Sequence, residues 1–138
     1  MAVMSTDVAR PVPHPTALTE PFWAACREGR LLVQRCTSCG THLFLPRPFC
    51  STCLGTDLGW VESSGRGVVV THTVVWRAQT PAFETPYVVA VVRLEEGHEM
   101  FTNLVEIDVA AVTPGMPVEV RFVPVTPTVT LPCFAPAT

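Results

Sequence analysis

The stretch Cys36-Thr37-Ser38-Cys39-Gly40, followed by Cys50-Ser51-Thr52-Cys53-Leu54-Gly55 with ten residues between Cys39 and Cys50, decides the reading of this chain. A two-residue gap lets both thiolates of a pair reach one ion. The glycines after the pairs are expected to allow the tight turn that aims backbone N–H groups at sulfur. Ten residues are enough for an out-and-back loop that brings the pairs together. Four thiolates form a closed tetrahedral set, which suits structural Zn2+ and leaves no open position for a catalytic water. Iron also accepts four thiolates, and a dithiol redox pair is a further alternative. No strand–helix pattern of the thioredoxin kind surrounds either pair.

A ribbon of about 30 residues buries too little surface to fold unaided. Bound zinc supplies on the order of 10 kcal/mol in small finger peptides, so the metal is expected to hold this unit together. Leu31 to Arg35 and Leu58 to Glu62 read as short strands flanking the loop. Upstream, residues 18–29 read as a short helix. Thr19 is expected to cap it, Pro21 suits its first turn, and Gly29 stops it. Phe22, Trp23 and Cys26 form one apolar stripe. Phe22 and Trp23 are large for so short an element, so they are candidate partner-docking residues, with packing on the chain's own core as the alternative. Residues 1–17 hold Pro11, Pro13 and Pro15 and read as a mobile or draped tail.

Downstream, Ser63-Ser64-Gly65 marks a break, and the rest reads as all-β. Expected strands are Gly67–Arg77, Tyr87–Leu94, His98–Val105, Val118–Val123 and Thr128–Phe134. A hairpin turn is expected at Glu95–His98, its acidic pair solvated, and a helical turn at Asp108–Val112. Five short strands with a helical piece after the third fit an OB-fold barrel. The fold class is therefore mainly β: a short N-terminal helix, a rubredoxin-like zinc ribbon, then a five-stranded OB-fold barrel. The expected units are residues 1–29, 30–63 and 64–138.

Composition narrows the function classes. The chain has 138 residues, 48% hydrophobic and only 15% charged, with net charge -3. So few charges predict exposed apolar surface and work within a complex. All nine basic residues are arginine, dispersed along the chain, which disfavours a polyanion partner. The start lacks a signal-peptide pattern and no apolar run could span a bilayer, so a cytoplasmic location without membrane attachment is expected. No nucleophile elbow, phosphate loop or HExxH occurs, and His14, His42, His72 and His98 have no partnered acid or nucleophile in sequence. Cys26 and Cys133, outside the metal spacing, read as packed thiols.

One ordered set of residues carries a resemblance. Pro21-Phe22-Trp23, Gly29-Arg30-Leu31 and the two knuckles with Pro46-Arg47-Pro48 between them come first. Gly65-Arg66-Gly67, Pro86-Tyr87-Val88-Val89-Ala90, Thr102-Asn103-Leu104 and Gly115-Met116-Pro117-Val118 follow. The set resembles the acyl-CoA-associated zinc-ribbon/OB-fold family, long filed as a domain of unknown function. That resemblance implies a non-catalytic accessory or scaffold subunit. Its partner would be a thiolase-like or lipid-transfer-like enzyme in acyl-CoA, steroid side-chain or polyketide metabolism. It also implies a hetero-oligomer that helps hold acyl-CoA. In OB folds the loop Ala78–Pro86 borders the ligand face. Phe83 and Tyr87 are then candidates to line the acyl-CoA path, with Arg66 or Arg77 near a phosphate. Core packing is the favoured alternative for Trp76 and Tyr87. A nucleic-acid-binding module is the competing function.

Overall fold

A computed structural model describes residues 10–138. The first nine residues of the expected tail lie outside the described residues. The helix α1 spans Glu20–Arg27. It ends as expected: Gly29 takes φ +75°, the Arg30 N–H bonds the Ala25 carbonyl at 2.9 Å, and the Gly29 N–H bonds that of Cys26 at 3.1 Å. These two hydrogen bonds close the last turn. Its start differs from expectation. The Thr19 side chain caps nothing, because its hydroxyl accepts from the Thr16 N–H at 2.8 Å in the preceding turn.

Three strands form the ribbon sheet: β1 (Leu32–Cys36), β2 (His42–Leu43) and β3 (Leu58–Glu62), ordered β2-β1-β3 and antiparallel throughout. Its own buried cluster is small: Cys36, Leu43 and Cys50, with Leu58 against them. Five strands follow: β4 (Arg66–Val75), β5 (Tyr87–Leu94), β6 (Glu99–Leu104), β7 (Pro117–Pro124) and β8 (Thr130–Pro136). They close into a barrel in the order β4-β5-β6-β8-β7, with β7 returning to β4. All pairings are antiparallel except β6 with β8. A short 3-10 turn, Val109–Ala111, lies between β6 and β7. It is capped by Asp108, whose side chain accepts from the Ala110 N–H at 2.9 Å. The strand β8 starts two residues later than the sequence suggests. The Val129 N–H bonds the Thr126 hydroxyl at 2.9 Å, which keeps residues 126–129 in the turn.

The main core joins helix and barrel. Phe22, Cys26 and Leu31 pack with Val69, Val92, Met100, Val118 and Phe134. Cys133, Phe134 and Ala135 are buried in succession, because β8 faces the barrel interior on one side and α1 on the other. The linker between ribbon and barrel is clamped. Glu96, in the β5–β6 turn, accepts from the Ser63 hydroxyl at 2.6 Å and from the Ser64 N–H at 2.8 Å. Glu95 pairs with Arg66 through two bonds of 3.2 Å. The acidic pair therefore holds the junction rather than merely solvating a turn. Partial burial pushes the Glu96 carboxyl up, but the bonds from Ser63 and Ser64 outweigh it and hold the group below its usual value. Gly65, at φ +74°, completes the bend; a Cβ there would sit 2.6 Å from Val120 Cγ1.

Candidate metal centre and apolar cleft

The four cysteines of the two knuckles converge. Their sulfur atoms all lie within 4.8 Å of one another. Cys36 to Cys53 and Cys39 to Cys50 each measure 3.6 Å. Sulfurs arranged tetrahedrally around zinc at about 2.3 Å stand about 3.8 Å apart, so this donor set fits the ion. Cys36 and Cys50 are buried; Cys39 and Cys53 are exposed. Each knuckle closes with a bond from the residue after its second cysteine: Gly40 N–H to the Cys36 carbonyl at 2.8 Å, and Leu54 N–H to the Cys50 carbonyl at 2.9 Å. The left-handed position of the second knuckle is therefore Leu54, at φ +63°, and not the expected Gly55. Gly55 serves by its size, since a Cβ there would lie 3.3 Å from Cys53 Sγ. The Thr52 N–H points at Cys50 Sγ at 3.3 Å. The Thr41 hydroxyl, 3.1 Å from Cys39 Sγ, draws that thiol down to about 6.

Cys26 and Cys133 stay outside this cluster and are buried. Burial pushes the Cys26 thiol up to about 12 and raises that of Cys133. His42 stacks on His98 of the barrel with ring centres 6.1 Å apart. His98 is buried, its Nδ1 has no partner, and desolvation lowers its pKa.

The second feature is an apolar cavity of about 270 Å³ where α1, the ribbon and the barrel meet. Phe22, Trp23, Phe44, Met100, Leu131 and Cys133 are among its walls. A second cavity, of about 370 Å³, shares Asn103, Leu131 and Cys133 with the first and reaches Arg10, Phe83 and Tyr87. The Phe83 and Tyr87 rings lie 5.9 Å apart, and the Arg10 guanidinium sits 5.3 Å over Phe83.

Several expectations change here. Phe22 is only 6% exposed and packs edge-on against Trp23 and Phe44, so it belongs to the core and not to a docking face; Trp23 is half-buried. Trp76 is 67% exposed because β4 ends at Val75, which takes it out of the core. Arg66 does not join Phe83 and Tyr87. It starts β4, whereas Val75 at the other end pairs with Tyr87, roughly 30 Å of strand away, and Glu95 occupies its guanidinium. Arg77 is exposed on the Ala78–Pro86 side and has no carboxylate within ion-pair distance among the described residues.

Residues 23–59 match the family model described as the ChsH2 rubredoxin-like zinc ribbon domain, and residues 60–123 match that of the ChsH2 C-terminal OB-fold domain. The chain belongs to the ChsH2 (DUF35) zinc-ribbon/OB-fold family. It is 36% identical over 101 residues to a DUF35 domain-containing scaffold protein of Pyrococcus furiosus, covering 71% of this chain and 73% of that protein. It is 43% identical over 117 residues to a probable enoyl-CoA hydratase alpha subunit of Thermomonospora curvata. That match covers 84% of this chain but only 37% of the relative, so this chain spans little more than a third of it. Among solved structures, the chain described as Ltp2-ChsH2(DUF35) aldolase superposes with TM-score 0.84 at 38% identity, covering 92% of this chain and all of that one. Among the described residues no helix is long and apolar enough to cross a membrane.

Proposed function

We propose that this chain is a non-catalytic accessory subunit that assembles with an acyl-CoA-processing enzyme and contributes an apolar wall to its substrate path. The observation that carries this reading is the cavity between α1, ribbon and barrel. It is apolar, shares the wall residues Asn103, Leu131 and Cys133 with a second cavity, and has Cys133 as the one titratable group among its lining residues. A buried thiol raised by desolvation is a poor nucleophile. Such a cleft binds and orients; the chemistry belongs to the partner. Similarity to a DUF35 scaffold protein supports the accessory role, and similarity to part of an enoyl-CoA hydratase alpha subunit supports the link to acyl-CoA enzymes.

In this reading Cys36, Cys39, Cys50 and Cys53 hold a structural zinc ion that fixes the ribbon against the barrel. The ion lends rigidity and takes no part in turnover. Phe83 and Tyr87 extend the apolar path, and Trp23 and the exposed Phe101 and Leu45 face the partner. The partner is a thiolase-like or lipid-transfer-like enzyme. Co-expression with such an enzyme from the same gene neighbourhood tests the proposal. The expected result is co-purification and binding of octanoyl-CoA by the complex. Separate elution, with no acyl-CoA bound by either preparation, overturns it.

A further inference from the structure

Ribbon and barrel meet through a pair of imidazoles. His42, on the edge strand β2, stacks on His98 at the start of the β6 arm, with ring planes 24° apart. His98 is 7% exposed, and its Nδ1 is buried without a hydrogen-bond partner. Its main chain is fixed, because the Leu94 N–H holds the His98 carbonyl at 2.9 Å in the β5–β6 turn. The other side of the stack is less firmly held. The strand β2 has two residues and pairs with β1 alone. A cavity of about 420 Å³, lined by Phe44, Leu45, Met100 and Phe101 among others, lies between it and β6. The loop after β2 travels with the ribbon sheet, since Gln34 of β1 accepts from the Arg47 N–H at 2.7 Å and donates to the Arg47 carbonyl at 3.1 Å.

We infer that protonation of His98 releases the β2 side of the ribbon from the barrel while the linker stays clamped. A neutral imidazole can leave Nδ1 as a bare lone pair. The imidazolium carries an N–H on both nitrogens, so in the stack it would bury a donor with nothing to accept it. Burial accordingly holds the His98 pKa below its usual value; Glu96 in its own turn pulls the other way, and His42 across the stack adds to the lowering. The charges on the neighbouring strands are engaged elsewhere: Arg66 with Glu95, Arg93 with Glu99 and Arg30 with Glu62, while the Arg35 guanidinium lies by Gly40. Separating the rings lets water reach Nδ1, so a proton binds the separated form more tightly and draws the junction open. Glu96 stays charged over the same range, because its carboxyl is held below its usual value, and Ser63 and Ser64 are the fixed end of the movement. The Phe44–Pro46 wall of the first cavity moves with β2, which makes the width of that cleft depend on pH. Nothing in this device requires a bound ligand or partner.

The test follows the zinc-loaded full chain by NMR between pH 7.5 and pH 5.5. An imidazole that titrates at about 6.5 when separated and well below that in the stack gives roughly a tenfold rise in the separated population over this range. Relaxation dispersion at the Phe44 and Leu45 amides reads that population. His98→Phe keeps a flat ring beneath His42 but takes no proton, and it should abolish the rise. Zinc content should stay constant throughout. The inference fails if the His98 ring of the unaltered chain titrates at about 6.5 or higher, a reading that stands even where the variant does not fold. It fails too if His98→Phe shows the same rise. Zinc lost in step with the rise also overturns it, because the change then belongs to the four cysteines.

Discussion

Replacing Glu96 with Ala should loosen the joint between ribbon and barrel. The carboxylate holds two groups of the linker, the Ser63 hydroxyl at 2.6 Å and the Ser64 N–H at 2.8 Å, and the Ser63 hydroxyl in turn accepts from the Gly65 N–H at 3.1 Å. A hydrogen bond to a charged acceptor contributes about 1.5–3 kcal/mol when well buried. Glu96 is only half-buried and its two bonds share one carboxylate, so about 2 kcal/mol in all is expected after allowing for solvent screening. For a chain of this size that is a drop of roughly 8 °C in Tm. The sign with pH follows from the lowered carboxyl. Its stabilisation is present above the unfolded value and is lost as pH falls through the lower folded one. Thermal denaturation at pH 7 and through the acid range, followed by tryptophan fluorescence with zinc content measured in parallel, reads both effects. Glu96→Gln should lie between wild type and Glu96→Ala. A Tm within about 1 °C of wild type for Glu96→Ala, with unchanged acid sensitivity, would show that the clamp carries no load.

Three further outcomes are expected. Removing zinc with a chelator should melt the pairing of Leu32–Cys36 with Leu58–Glu62, seen as lost amide protection there, while β4–β8 stay protected; Cys50→Ser should lower the metal content of purified protein. Gly65→Ala combines a left-handed backbone with a clash on Val120 and should cost about 3 kcal/mol by urea denaturation. Leu131→Trp, on the shared wall of the two cavities, should weaken octanoyl-CoA binding roughly tenfold by calorimetry, with little change in circular dichroism.

Much of the architecture was legible because its causes are local. The valine-rich runs at Arg66–Val75 and Tyr87–Leu94 favour strands through their branched side chains, and Gly97, at φ +103°, turns the hairpin where the acidic pair suggested. The helix stopped at Gly29 for the reason glycine usually stops helices. The site beyond the cysteines was harder to read. Trp76 and Phe22 are neighbours of similar apolar residues, and nothing local says that one ends outside and the other inside. Pro132 did carry a signal, since proline inside a strand marks an edge. Which strand it would meet depended on how the barrel closes, with β8 beside β6.

By itself the amino-acid sequence determined the four-sulfur site and most of the strands, because ligand spacing, side-chain branching and turn chemistry act over a few residues. Only the tertiary structure decided that Glu96 grips the linker, that Arg66 lies at the far end of β4 from Tyr87, and that β8 closes the barrel on β6 through a single registered pair. Each of these joins residues tens of positions apart, and their meeting is set by how the barrel closes and the ribbon leans on it.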